Sequence, residues 1–145
     1  MTQTVLSPKK IKLNAYASNK REAIELAGNL LVEAGHVSEE YIGKMQEREE
    51  LLTTYIGNGV AIPHGTNDSK SWIQSTGISV VQFPKGVDFG EGNVAYLLIG
   101  IAAVGDEHLE LLSNIALVCA EEKNIEDIVK AQSEAEIIDI FERGM

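Results

Sequence analysis

Apolar residues recur at helical spacing in the first third of the chain. From Asn19 onward they fall on one face of a helix, at Ala23, Ile24, Ala27, Leu30, Leu31 and Ala34. Asn19 and Glu22 have the spacing of a capping pair, and Gly35 is a typical helix stop. Ser38 predicts the start of a second helix, which runs to about Leu52.

Two further helices are predicted towards the C-terminus. Asp106 is the expected N-cap of the first, whose inward face would carry Leu109, Leu112, Ile115, Ala116, Cys119 and Ala120. Ser133 and Glu136 form a second capping pair, and the last helix would bury Ile137, Ile138 and Phe141. Residues 125–131 are expected to form a short helix or a turn that enters one.

Runs of β-branched and apolar residues predict strands in the middle of the chain. Residues 11–16 alternate, residues 60–62 are ended by Pro63, and residues 77–83 are rich in valine and isoleucine. Residues 94–104 are apolar enough for a strand buried on both faces. Gly86, Gly90 and Gly92 mark the loop between the last two strands. This order predicts an α/β fold in one domain, residues 1–145, with helices covering both faces of a sheet.

Composition and charge narrow the possible functions. The chain has 145 residues and one cysteine, which excludes an internal disulfide framework. It has no transmembrane-length apolar run and no signal-peptide pattern, so we expect a cytoplasmic protein that does not insert into a membrane. A net charge of -10 argues against nucleic acid as a partner. Residues 61–145 hold 5 basic and 14 acidic side chains, which favour a basic partner or simply maintain solubility.

His64 is the first candidate for chemistry. It follows a predicted short strand and lies between Pro63 and Gly65, at a strand end of the kind where α/β folds place ligands. Glycine is expected there to let the chain turn sharply. Imidazole can be neutral and nucleophilic near neutral pH. A histidine in an exposed turn without function has the same pattern, and spacing alone does not separate the two interpretations.

Each of the other candidate residues, taken alone, also allows either a functional or a purely structural interpretation. His108 lies in the predicted first turn of a helix, where free N–H groups favour an anion and disfavour a protonated imidazole, or it is merely solvated there. Arg48 has the forked donors that suit a phosphoryl group, or it pairs with Glu47 or Glu49 on a helix surface. His36 is expected to cap a helix end or lie on the surface, and Cys119 is expected to be a buried core residue.

Several segments together carry a resemblance that single residues do not. Residues 48–51 are REEL, residues 54–66 are TYIGNGVAIPHGT, residues 83–90 are FPKGVDFG, residues 99–103 are IGIAA and residues 107–109 are EHL. In this order they resemble the mannitol/fructose class of enzyme IIA components of the bacterial sugar phosphotransferase system. The resemblance covers nearly the whole chain and is strongest to the mannitol branch.

The resemblance implies both a fold and a set of roles. The fold is a mixed, mostly parallel five-stranded sheet with helices on both sides. His64 would accept a phosphoryl group through Nε2 from the histidine-containing phosphocarrier protein and pass it to a cysteine of a sugar-specific IIB domain. Arg48 and His108 match the family's active-site arginine and second histidine, and no cofactor or metal is implied. The chain would be a stand-alone IIA component, because no IIB or membrane segment follows Met145.

Two other functions stay open on the sequence. One is a regulatory IIA-like module, in which phosphorylation of the same histidine controls binding to a target protein. The other is a metal-dependent hydrolase that uses His64 and His108, for which the sequence offers no evident third ligand.

Overall fold

The computed structural model describes residues 5–144, which form five α-helices and a five-stranded sheet. The helices are α1 (Lys20–Glu33), α2 (Glu40–Leu51), α3 (Glu107–Cys119), α4 (Glu122–Lys130) and α5 (Glu134–Gly144). The strands are β1 (Ile11–Lys12), β2 (Tyr55–Gly57), β3 (Val60–Ala61), β4 (Gly77–Asp88) and β5 (Val94–Ala102). Short 3-10 turns span Pro8–Lys10 and Lys70–Trp72.

The sheet has the strand order β1-β4-β5-β3-β2. The pairs β1–β4 and β3–β5 are parallel, whereas β4–β5 and β2–β3 are antiparallel. The expected mixed five-stranded sheet is therefore confirmed, but it is not mostly parallel, since parallel and antiparallel pairs are equal in number. Because β3 and β5 run the same way, their carboxyl ends meet at one edge of the sheet.

Both faces of the sheet are covered, as the apolar central strands predict. Val80 and Ile99 point into a core shared with α3, α4 and α5. Val81 and Leu98, their neighbours along the strands, point into a second core shared with α1 and α2. This two-sided burial follows from the period of two in strand side chains, since successive residues here are all apolar.

The two predicted capping pairs are confirmed, whereas the two caps predicted from a single residue, Ser38 and Asp106, make no capping hydrogen bond. The Asn19 side chain accepts the backbone N–H of Glu22 at 2.9 Å, and Ser133 accepts that of Glu136 at 3.3 Å. Asp106 does occupy the N-cap position of α3, yet its side chain makes no capping hydrogen bond. Ser38 does not cap α2, whose N-cap is the following residue, and its hydroxyl is buried without a hydrogen bond.

The inward face of α3 differs from the expectation. Leu109, Ala116 and Ala120 are exposed rather than buried. The core side is formed by Leu111, Ile115, Val118 and Cys119. The helix carries apolar residues around most of its circumference, so periodicity could not select one face. In α5, Ile137 and Phe141 are buried as expected, and Ile140 is more buried than Ile138.

The strand boundaries also differ from the expectation. The first strand ends at Lys12 because Asn14 adopts a positive φ of 51° and turns the chain. Strand β4 continues past residue 83 to Asp88, so Gly86 lies within a strand and not in a loop. The pairing of β4 with β5 shifts register between Gln82 and Val87, and such an irregularity accommodates a proline in a strand.

His36 helps to cap the end of α1, as one expectation held, since its backbone N–H donates to the Leu31 carbonyl at 3.0 Å, but its side chain does not lie on the surface. Its side chain is 7% exposed and is hydrogen-bonded on both ring nitrogens. Nε2 lies 2.7 Å from the Lys10 ammonium, and Nδ1 lies 2.8 Å from the Ser75 hydroxyl. Burial, followed by the Lys10 charge, holds the pKa of His36 below its ordinary value. Cys119 is buried as expected, which raises the pKa of its thiol to about 11.

The close contact between α1 and the sheet gives a test of the packing. A Cβ atom at Gly100 would lie 2.5 Å from Ser79 Oγ and 3.3 Å from Ala27 Cβ. The Ser79 hydroxyl cannot turn away freely because it donates to the Ala27 carbonyl at 2.8 Å. We therefore expect Gly100→Ala to lower the free energy of unfolding by about 1–3 kcal/mol in urea denaturation.

Gly43→Ala is the matched control. A Cβ at Gly43, on α2, meets no atom within 4 Å. It should raise the free energy of unfolding by about 0.5–1 kcal/mol because glycine is a poor helix former. Equal effects of the two substitutions would contradict the tight packing of α1 on β5.

Candidate active site

His64 lies just beyond the carboxyl end of β3. The β3–β5 pairing continues as an isolated parallel bridge between His64 and Ile101. The backbone N–H of Ile101 donates to the Pro63 carbonyl at 2.9 Å, which fixes the backbone immediately before His64. The histidine is therefore placed at the edge of the sheet by the same register that aligns Val60 with Leu97.

A single hydrogen bond sets the tautomer of the His64 ring. Nδ1 lies 2.8 Å from the backbone carbonyl of Ile62, and a carbonyl can only accept. Nδ1 therefore carries the proton of the neutral ring, and Nε2 carries the lone pair. The ring is half-buried, and within residues 5–144 Nε2 makes no hydrogen bond. Local backbone geometry thus determines which ring nitrogen carries the lone pair.

The fold brings His108 next to His64. The centroids of the two rings are 5.4 Å apart, and the ring planes are inclined by 58°. His64 follows β3, whereas His108 lies in the first turn of α3, which begins soon after β5. Since β3 and β5 are parallel neighbours, the segments that leave their carboxyl ends meet at one place. A group bound to Nε2 of His64 can contact both rings.

Arg48 completes the group of sequence candidates from the last turn of α2. Its guanidinium donates through Nη1 to the Leu52 carbonyl at the end of the helix. The two glutamates considered as ion-pair partners of Arg48 pair with lysines instead: Glu47 with Lys44 at 3.3 Å and Glu49 with Lys20 at 3.3 Å. The Arg48 charge reaches His64 and lowers the pKa of its ring. Within residues 5–144, Arg48 is therefore a cation that forms no ion pair with a carboxylate and whose charge acts on His64.

The rings of both His64 and His108 are held neutral. Burial is the main reason that the pKa of His64 lies below its ordinary value, and the charges of Arg48 and His108 lower it further. The Ile62 hydrogen bond and the Glu49 charge act in the opposite direction. Burial and then the Lys70 charge lower the pKa of His108. Neutral rings at neutral pH leave a lone pair on His64 and an N–H donor on His108.

Glu49 is buried, although the sequence suggested only a surface partner for Arg48. Its side chain is 4% exposed and accepts from the backbone N–H and the hydroxyl of Thr54, at 2.8 Å and 2.7 Å. These bonds fix the segment between α2 and β2, which follows the helical turn that carries Arg48. A glutamate between Arg48 and another glutamate on an amphipathic helix has no sequence signal that marks it as buried.

Lys70 is the second residue near the site that the sequence did not mark. It begins the 3-10 turn Lys70–Trp72 and lines a cavity of about 230 Å³ together with His108 and Thr66. Its position depends on the path of residues 65–76, which no helix or strand pattern predicted.

Two properties of the described residues bear on the alternatives. No group of three or more histidine, cysteine, aspartate or glutamate side chains in residues 5–144 is arranged to hold a metal ion. His64 and His108 thus have no third ligand of these types beside them. No helix in the same range has the length and apolar character required to cross a bilayer.

Comparison with known proteins decides the family. Residues 4–144 match the family described as phosphoenolpyruvate-dependent sugar phosphotransferase system, EIIA 2. The chain belongs to this enzyme IIA family. The resemblance seen in the sequence is thereby confirmed, and the protein is a phosphotransferase component.

Several relatives of this enzyme IIA chain have names or solved structures. Mannitol-specific phosphotransferase enzyme IIA components from Geobacillus stearothermophilus and Bacillus subtilis are each 53% identical, and the matches cover 97% and 94% of this chain and 97% and 96% of the relatives. A solved complex of enzyme IIAMTL with phosphorylated enzyme IIBMTL from Escherichia coli has a TM-score of 0.90 at 36% identity. That match covers 95% of this chain and 97% of the other.

The charge environment predicts how His64 of this enzyme IIA titrates. In ¹⁵N NMR spectra, His64 should stay in the Nδ1–H tautomer and protonate with a pKa below that of a free imidazole, because burial and the Arg48 charge disfavour the imidazolium. Arg48→Gln should raise that pKa, since one of the charges that lower it is removed. An unchanged pKa in the variant would show that Arg48 does not act on this ring.

Proposed function

We propose that His64 accepts a phosphoryl group on Nε2 from the histidine-containing phosphocarrier protein and passes it to a cysteine of a mannitol-specific IIB domain. The bond between His64 Nδ1 and the Ile62 carbonyl carries this proposal, because it directs the lone pair of a neutral ring to Nε2. The names of the relatives support mannitol as the sugar, and the phosphorylated IIB in the solved complex supports the acceptor.

The transfer is two displacements at phosphorus. In the first, the Nε2 lone pair of His64 forms a bond to phosphorus while the bond between phosphorus and the donor's imidazole breaks, and the donor ring retains that electron pair. In the second, a thiolate of the IIB cysteine forms a sulfur–phosphorus bond, and the electron pair of the broken bond returns to Nε2. Each step needs in-line positioning and stabilised charge on the three phosphoryl oxygens.

Arg48 and His108 supply the charge stabilisation in this proposal. The Arg48 guanidinium has no carboxylate partner among the residues that the structure describes, and it carries forked donors that match phosphoryl oxygens. His108 is neutral and lies with its ring centroid 5.4 Å from that of His64, so it donates a hydrogen bond to an oxygen of the bound group. Donors fixed before the reaction stabilise developing charge without reorganisation.

The proposal includes the setting in which the protein works. The chain acts in the cytoplasm, where the donor and the IIB domain are available to it, and residues 1–145 form one phosphotransferase domain. Membership of the enzyme IIA family supports this setting. The acidic character of residues 61–145 favours encounter with a donor that is basic around its own histidine.

Phosphate labelling tests the route of transfer. The unmodified chain should take ³²P from the phosphorylated phosphocarrier protein and pass it to an isolated mannitol IIB domain. His64→Ala should remain folded by circular dichroism and take no label, because the accepting nitrogen is gone. Normal labelling of His64→Ala would refute the site. Label that stays on the unmodified chain in the presence of IIB would favour a regulatory module over a transfer component.

The supporting roles are tested by rapid-quench kinetics. Arg48→Ala and His108→Ala should each slow phosphoryl transfer on the order of 10²–10³-fold, the range for loss of one charge-stabilising donor. Arg143→Ala is the charge-matched control, because Arg143 pairs with Asp139 on α5 at 3.2 Å. It should transfer at the unmodified rate. If Arg48→Ala and His108→Ala matched this control, neither residue would stabilise the transferred group.

A further inference from the structure

Tyr41 is buried on α2, directly against the segment that carries His64. The side chain is 2% exposed, and its hydroxyl makes two hydrogen bonds to backbone groups. It accepts from the Gly65 N–H at 2.8 Å and donates to the Ile101 carbonyl at 2.7 Å. Burial raises the pKa of the Tyr41 phenol to about 12, so the hydroxyl keeps its proton at neutral pH.

The hydroxyl occupies a particular place in the β3–β5 ladder. In a parallel ladder, the residue after His64 would donate directly to the carbonyl of Ile101. Here the Tyr41 hydroxyl is hydrogen-bonded to both of those groups and so links them. The rung on the other side of His64 is an ordinary one, from the Ile101 N–H to the Pro63 carbonyl. The backbone on both sides of His64 is thus linked to Ile101, directly at Pro63 and through the Tyr41 hydroxyl at Gly65.

Gly65 fits closely against the Tyr41 ring. A Cβ atom at Gly65 would lie 2.5 Å from Tyr41 Cε1 and 2.5 Å from Ser69 Oγ. Gly65 does not have a positive φ, so the sharp turn that the sequence suggested is not the reason for glycine. Glycine is required because the tyrosine ring and the backbone approach each other so closely. The close contact of Gly65 with the Tyr41 ring and the two hydrogen bonds of the Tyr41 hydroxyl together hold the backbone next to His64. We call this arrangement the clamp.

We propose that Tyr41 is a positioning residue for phosphoryl transfer, which holds Nε2 of His64 in line with the incoming phosphorus by clamping Gly65 to Ile101. This inference rests on the proposed function of His64. The hydroxyl does not touch the transferred group, and its two hydrogen-bonding directions are used by the backbone. Its effect is on the orientation of the nucleophile, which phosphoryl transfer requires to within a fraction of an ångström.

Tyr41→Phe tests the clamp, and Tyr55→Phe is its matched control. The Tyr55 hydroxyl also accepts a backbone N–H, that of Gly59, at 3.0 Å, but it does so in the β2–β3 hairpin. At saturating phosphorylated phosphocarrier protein, Tyr41→Phe should lower the transfer rate constant on the order of 10-fold, with KM for the donor unchanged. Tyr55→Phe should transfer at the unmodified rate. Urea denaturation of both variants measures how much each lost hydroxyl lowers the free energy of unfolding.

Two further readouts separate positioning from a general effect on folding. Tyr41→Phe should speed hydrogen exchange of the Gly65 amide and shift the His64 ring ¹⁵N signals, whereas Tyr55→Phe should change neither. Gly65→Ala disturbs the same contact from the backbone side, because the added Cβ displaces the Tyr41 ring. It should give the same pattern, a lower rate constant at unchanged KM.

The possible results distinguish this inference from the function on which it rests. If the unmodified chain and both phenylalanine variants transfer at one rate, Tyr41 does not position His64, and the proposed function stands. A higher KM at an unchanged rate constant for Tyr41→Phe would likewise overturn the inference, since it would indicate a role in donor binding. If the unmodified chain takes no phosphate, the proposed function fails and this inference fails with it.

Discussion

The hydrogen bond from His64 Nδ1 to the Ile62 carbonyl is the interaction on which the site depends. It fixes which nitrogen has the lone pair, and it does so with a backbone group two residues earlier in the chain. The carbonyl is in place because β3 is held in register against β5. The sheet register thus determines the tautomer of His64, and burial together with the Arg48 charge keeps the ring neutral.

The remaining parts of the site converge through topology. Two parallel neighbours, β3 and β5, bring His64 and the start of α3 to the same edge of the sheet, and the charge of Arg48, from α2, lowers the pKa of His64. Glu49 and Tyr41 come from that same helix and fasten the flanking backbone, at Thr54 and Gly65. The site is therefore built on packed secondary structure, which limits the motion of groups that must be aligned before the reaction.

Much of this fold was predictable because its signals are local. The capping pairs at Asn19 and Ser133 and the doubly buried strands follow from short-range chemistry. The face of α3 and the burial of His36 were predicted wrongly, since each is decided by partners distant in sequence, such as Lys10 for His36. For the site, no single residue was decisive. The resemblance grouped His64, His108 and Arg48, and only coordinates could show the tautomer and the clamp at Gly65.

The most direct test of the account is the position of phosphorus on the ring. A ¹⁵N-histidine-labelled sample, phosphorylated by the phosphocarrier protein, should show a one-bond ³¹P–¹⁵N coupling at Nε2 of His64 and none at His108. Phosphorus on Nε2 is the result required by the Nδ1–Ile62 hydrogen bond. Phosphorus on Nδ1 of His64, or on His108, would contradict it.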